Sequence, residues 1–122
     1  MTAQATLPRE LIRTETWFDE LPDELNHALD DYDFASTAEF QSLAELSSAT
    51  ELVGVYADAE STVIQDDWLI APGTVEVKLV YEPNSKDRTE IPDSYPARIF
   101  FTLDNHKVVI DRIEPDVSSF YA

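Results

Sequence analysis

The stretch Thr74-Val-Glu-Val-Lys-Leu-Val-Tyr-Glu82 decides the fold. Val75, Val77, Leu79 and Tyr81 alternate with Glu76, Lys78, Val80 and Glu82, a period of two that sets an apolar face against a more polar one. Upstream, residues 63–71 predict another strand, joined to this one by a turn at Pro72-Gly73. Before that, Val53, Val55 and Ala57 alternate with Leu52, Gly54, Tyr56 and Asp58 as a first strand. Downstream, residues 97–103 and 107–113 predict a hairpin around Asp104-Asn105-His106, because Asn and Asp tolerate positive φ. Residues 83–96 contain Pro83, Asn84, Ser85, Pro92 and Pro96, and read as a long polar loop.

N-terminal to residue 50 the period is that of a helix. Residues 1–6 are polar and read as frayed. Pro8 suits a first helical position, and Leu11, Ile12, Glu15 and Phe18 follow as a short amphipathic stretch. Leu21-Pro22 interrupts it, since proline disfavours helical geometry in the residue before it. A second helix then starts at Pro22, with Asp23 and Glu24 in its first turn and Leu25, Ala28, Leu29 and Tyr32 on one face. Ser36-Thr-Ala-Glu39 reads as a capping box. It opens a third helix whose buried face is Phe40, Leu43 and Ala44, extended by Leu46 or Ser47. The tail, residues 115–122, brings two aromatics, Phe120 and Tyr121, to dock on the sheet. The expected fold class is α+β: two to three N-terminal helices packed on one face of an antiparallel β-meander of about five strands. One domain is expected over residues 1–122, with the helical part at about 8–50 and the meander at about 52–114.

Six Phe, five Tyr and two Trp supply a core for 122 residues, and seven Pro with two Gly are too few for a disordered chain. No run approaches the roughly 18–20 apolar residues of a membrane span. The first residues lack the basic start and apolar run of a secretory signal. With no cysteine, disulfides and thiolate chemistry are excluded. The expectation is a cytoplasmic protein. Its charge is the outlier: 25 acids against eight bases, net −17. Residues 15–76 contain no Lys or Arg, and the scarce bases gather at residues 78–112. Such a field repels nucleic acid, anionic lipid and phosphorylated ligands and attracts basic partners.

Catalytic patterns are weak. Asp66-Asp67 followed by Glu76-Val-Lys78 resembles the carboxylate and lysine arrangement of metal-dependent nucleases. A two-residue turn at Pro72-Gly73 would instead place Asp67 opposite Lys78 as an ordinary cross-strand ion pair. A chain of net charge −17 also repels nucleic acid. Asp30, Asp31 and Asp33 lack the glycine and closing glutamate of an EF-hand loop and read as a solvated helix end. His27 and His106 have no companion nucleophile or ligand, so neither a catalytic residue nor a metal or other cofactor is assigned. The aromatics read as core rather than a base-stacking platform. Alternation places Phe100 on the face opposite Ile99, Phe101 and Leu103, under the helices or as an exposed anchor for a partner.

The last half of the chain, from the Trp68 strand to Asp116-Val-Ser-Ser-Phe-Tyr121, resembles the β-rich tails of bacterial PIN-like and other predicted conflict-system nucleases, which often end in Asp-x-Ser-Ser-aromatic. The likeness covers about residues 62–122, and the nuclease domain itself is absent. It implies an accessory or partner-binding module in a defence or toxin–antitoxin setting, not an enzyme.

The function expected from charge is that of an acidic, non-enzymatic protein that binds a basic protein: an immunity protein, antitoxin or inhibitor, in its sharpest form a nucleic-acid mimic. The partner is expected to be a nucleic-acid-processing protein, with no direct contact to nucleic acid or membrane. The residues expected to carry binding are Glu15, Asp19, Glu20, Asp23, Glu24, Asp30, Asp31 and Asp33. The alternative is a small-molecule-binding or other α+β domain whose acidity reflects a salt-adapted proteome.

Overall fold

A computed structural model describes the backbone of residues 5–6, 16–104 and 107–121 and the side chains of residues 20–104 and 107–120. In it the alternating stretch belongs to one continuous strand, β4 (Trp68–Tyr81). Strand β5 (Thr89–Asp104) pairs antiparallel with β4 from Leu69↔Phe101 to Tyr81↔Thr89. The other edge of β4 is shared: β3 (Val63–Gln65) covers residues 68–70, and β2 (Glu51–Ala57) covers residues 73–78. Strand β6 (Lys107–Pro115) pairs with β5, and β1 (Ala5–Thr6) adds to β3. The α+β class and the antiparallel sheet are as expected, with five strands of three residues or more plus the two-residue β1.

Two expectations built on proline are corrected here, with one at the N-terminus. Pro72-Gly73 is not a turn but lies inside β4; the turn is at Asp66-Asp67, where Asp66 takes φ 57°. Pro72 accepts a hydrogen bond from Asp58 N–H at 2.9 Å through its carbonyl, so its nitrogen faces the gap between β3 and β2 and no bond to β5 is lost. Residues 89–96 are not loop but the first half of β5. The Pro96 carbonyl accepts from Asp116 N–H at 2.8 Å, beyond the last β6 pair, Ala97↔Pro115. Pro92 shares its parity. Pro92 therefore points its nitrogen at an unpaired edge, and Pro96 points its own past the end of β6, beside Asp116. Residues 5–6, expected to be frayed, are strand.

The helical part departs from expectation in the same way. One helix, α1, runs Thr16–Asp31 straight through Pro22. Leu21, Leu25 and Leu29 are buried at 2%, 0% and 5% exposure. Each such leucine is worth about 1.5–3 kcal/mol, and three outweigh the roughly 3 kcal/mol cost of proline in a helix interior. The Pro8–Glu15 portion of the expected first helix lies outside the described residues. The capping box does not form. The Ser36 hydroxyl donates to Asp33 Oδ2 at 2.6 Å, and the chain passes through two 3-10 turns (Phe34–Ser36, Ala38–Phe40) into a four-residue helix, α2 (Gln41–Ala44). Phe34 and Phe40 meet edge to face at 5.5 Å. Together with Leu43 and Leu46 they join the α1 leucines in one core with Val75, Val77, Leu79, Tyr95, Ile99, Phe101 and Ile113. Chain segments are tied by polar bonds as well: Asn26 Oδ1 accepts from Ala57 N–H at 3.3 Å, and Tyr81 O–H donates to the Leu46 carbonyl at 3.1 Å.

Candidate functional site

Burial of residues 21, 25 and 29 fixes the rotation of α1. Glu20, Asp23, Glu24, His27, Asp30 and Asp31 therefore line its exposed side, and Asp33 follows just past its end, also exposed. Of the eight expected binding residues, Glu15 lies outside the described residues and the Asp19 side chain is not among those described. The remaining six share this solvent-facing surface. Asp30 and Asp31 occupy the last turn, which holds no base, against the preference of a helix C-terminus for cations. The partner near them is His27, whose Nε2 lies 3.6 Å from Asp31 Oδ2.

The bases are elsewhere. Among the described residues, every Lys or Arg ion pair lies on the sheet or its connections. Arg88 bridges Glu90 (2.7 Å) and Glu51 (3.2 Å), and Lys78 also reaches Glu90, at 3.6 Å. Arg98 and Arg112 both hold Glu114 at 2.7 Å, and Arg112 also pairs with Asp111. Hydrogen bonding from Arg112 holds the Glu114 carboxyl below its ordinary range, against a smaller opposing effect of burial. Asp67 sits in the turn before β4 and Lys78 ten residues into that strand, roughly 30 Å or more apart at 3.3 Å per residue, and Lys78 pairs instead with Glu90. The expected Asp67–Lys78 pair does not exist, and neither does the nuclease-like grouping.

Phe100 is neither under the helices nor an exposed anchor. It lies on the opposite sheet face at 5% exposure, with Arg112 Cζ 3.8 Å and Arg98 Cζ 5.4 Å from its ring centroid. Arg112 reaches it because β6 carries an extra residue at Asp111, which shifts the register to Phe100↔Arg112.

A groove of about 500 Å³ runs between α1 and β6, bounded by Glu24, His27, Ala28, Asp31 and Tyr32 on one side and Lys107, Val108 and Ile110 on the other. Tyr32 closes one end, its hydroxyl 3.5 Å from the Asp111 carbonyl. Burial, with the carboxylates of Glu39 and Asp111, pushes the Tyr32 phenol above its ordinary value. The groove was not legible beforehand, because it depends on which strand begins beside the helix.

The Asp-x-Ser-Ser signature has a local structural role. Asp116 Oδ1 accepts from Ser118 N–H at 2.9 Å and opens the 3-10 turn Ser118–Tyr121. Phe120 is 39% exposed rather than fully docked. Among the described residues, no helix is long and apolar enough to cross a membrane. No family model matches the chain, and no curated protein matches it.

Proposed function

We propose that the chain is an acidic, non-enzymatic interaction protein that binds a basic protein partner through the exposed side of α1. The observation that carries this reading is charge segregation. Among the described residues, Glu20, Asp23, Glu24, Asp30, Asp31 and Asp33 are exposed without a Lys or Arg ion-pair partner, while Lys78, Arg88, Arg98 and Arg112 are taken up by carboxylates of the sheet. An unneutralised face of this kind accelerates encounter with a basic surface and rejects acidic ones. Helices covering one sheet face would leave that acidic side of α1 outermost, and the shared leucine and valine core supports this arrangement. An immunity protein, antitoxin or inhibitor of a nucleic-acid-processing protein, working in the cytoplasm, is the form that fits best. The resemblance of the C-terminal half to conflict-system tails points the same way.

The test is capture from the native host at low salt. A basic protein should be retained at about 50 mM salt and released by about 500 mM. Retention should fail when Glu24, Asp30 and Asp31 are replaced by Gln, Asn and Asn. Capture that ignores both salt and these substitutions refutes the reading. One observation favours the alternative, that acidity is a solvation device: Asp58, Glu60, Asp66, Asp67, Glu76 and Glu82 are also exposed, far from α1 in sequence. That alternative predicts a melting temperature that climbs steeply with KCl and no specific partner.

A further inference from the structure

The edge of β6 beside the acidic helix has unused hydrogen-bonding groups. Antiparallel partners alternate between pairs that exchange backbone hydrogen bonds and pairs that do not. The Pro96 carbonyl, which accepts from Asp116, marks the even-numbered residues of β5 as those facing β6. Thr102↔Val109 and Asp104↔Lys107 are therefore the bonded pairs, and Val108 and Ile110 turn their N–H and C=O groups outward. Among the described residues β6 has no strand partner other than β5, and no turn, loop or side-chain hydrogen bond reaches these four groups. The next carbonyl, Asp111, is approached by Tyr32, which ends the open stretch.

These groups open beside the 500 Å³ groove, whose lining combines the apolar Ala28, Val108 and Ile110 with Glu24, His27 and Asp31 of α1. Lys107 is the one Lys or Arg among its described lining residues. A helix lying alongside an open strand edge is the arrangement in which an extended peptide adds as a further strand. Such a strand would lie about 4.8 Å from β6, with alternate side chains directed toward the helix and away from it.

We infer that the α1–β6 groove takes a short extended segment of the partner as an added strand on β6, with basic side chains directed at Glu24 and Asp31. This rests on the basic-partner reading above and deepens it by naming the recognised element. Charge selects the occupant, since two carboxylates face one lysine across the groove. The four outward backbone groups select its conformation. Tyr32 limits its length to about three or four residues in contact, on the spacing of one residue per 3.3 Å.

The test uses the full chain labelled with ¹⁵N and two synthetic octapeptides, one alternating Lys with Val and the other alternating Glu with Val. The Lys-Val peptide should bind and slow amide hydrogen exchange at Val108 and Ile110 by about tenfold or more, as expected for newly bonded edge amides. The Glu-Val peptide should not. Ile110→Pro removes an outward N–H while leaving the Val109 ladder bonds in place, and should weaken Lys-Val binding about tenfold. Val108→Pro serves as a second variant, and protection at Val109 reports that each variant is folded. Lys-Val binding that leaves Val108 and Ile110 exchange unchanged overturns the added strand while leaving the basic-partner reading intact. Absence of any binding by the Lys-Val peptide, together with failure of host capture, overturns both.

Discussion

The guanidinium of Arg112 lies over the Phe100 ring on the sheet face away from the shared core, with Cζ 3.8 Å from the ring centroid, and the same guanidinium holds Glu114 at 2.7 Å. Arg98 approaches the same ring and the same carboxylate. Two cations thus help cover the aromatic on this face, and Glu114 and Asp111 together balance their charge.

Removing Arg112 should therefore cost more than an ordinary surface substitution. A partly desolvated cation–π contact is worth about 1–2 kcal/mol, whereas exposed substitutions usually fall within about 0.5 kcal/mol. Arg112→Ala should lower urea stability by about that larger amount. Arg112→Lys should lie between, since it keeps the charge but loses the planar stacking. Equal stability for all three proteins refutes the stacking argument.

The same cluster fixes a pH dependence. The Glu114 carboxyl is held below its ordinary range in the folded chain. Its stabilisation is thus complete above the unfolded glutamate value of about 4.3 and is lost as pH falls through that value toward the lower folded one. Urea midpoints of wild type and Glu114→Gln should differ most at pH 7 and converge in acid. A difference that grows as pH falls has the wrong sign.

Gly73 and Gly54 make a controlled pair. A Cβ at Gly73 would collide with the Tyr56 carbonyl oxygen and meet Ile99 Cδ1 at 2.5 Å, one fixed backbone and one fully buried side chain. At Gly54 it would meet the end of the Tyr56 ring at 2.8 Å, and that ring is 51% exposed and free to swing. Gly73→Ala should cost about 1–3 kcal/mol as an overpacked site. Gly54→Ala should be nearly neutral. Thermal melts of both variants settle it, and equal losses contradict the distinction between backbone and mobile ring.

How much was legible follows from these details. Alternation in residues 74–82 identified the central strand, and alternation in 97–103 placed Phe100 opposite Ile99 and Phe101, as found. What covers Phe100 was not legible. A regular hairpin closed by Asp104 and Lys107 would set Asp111 across from it, and only the extra residue in β6 substitutes Arg112. The misreadings share proline as their source. A proline states that a donor is missing, but Pro22, Pro72, Pro92 and Pro96 are accommodated by tertiary context: buried leucines in one case and an unpaired or shared strand edge in the others. That context is long-range, so local sequence could not disclose it. The acidic surface was legible as composition and as a helix face, whereas the groove required knowing that β6 begins beside α1.

Those edge prolines carry their own prediction. Along the open half of β5, Pro92 and Pro96 offer no N–H, and the intervening Ser94 N–H is satisfied by Asp93 Oδ1 at 2.9 Å. An edge stripped of free donors from Pro92 to Pro96 is a poor template for another strand. Replacing Pro92 and Pro96 by Thr should restore two outward donors with strong strand propensity. Sedimentation at about 0.5 M salt, where charge repulsion is screened to a Debye length of about 4 Å, should then show the double variant associating at concentrations where wild type does not.

Asp30 separates stability from function. It sits in the last turn of α1 with no base to offset it, exposed and facing away from the core. Asp30→Asn removes a charge that opposes the helix dipole and should raise stability by about 0.3–1 kcal/mol. If the α1 surface meets a basic partner, the same substitution should weaken capture and flatten its salt dependence, because an unfavourable charge is being retained for binding. Thermal melts and capture at about 50 mM salt, run on the same protein, give the two readouts. A gain in stability with capture undiminished would move the binding surface off the end of α1, and a loss of stability would show that the local conflict at this helix end is offset by a contact other than the dipole.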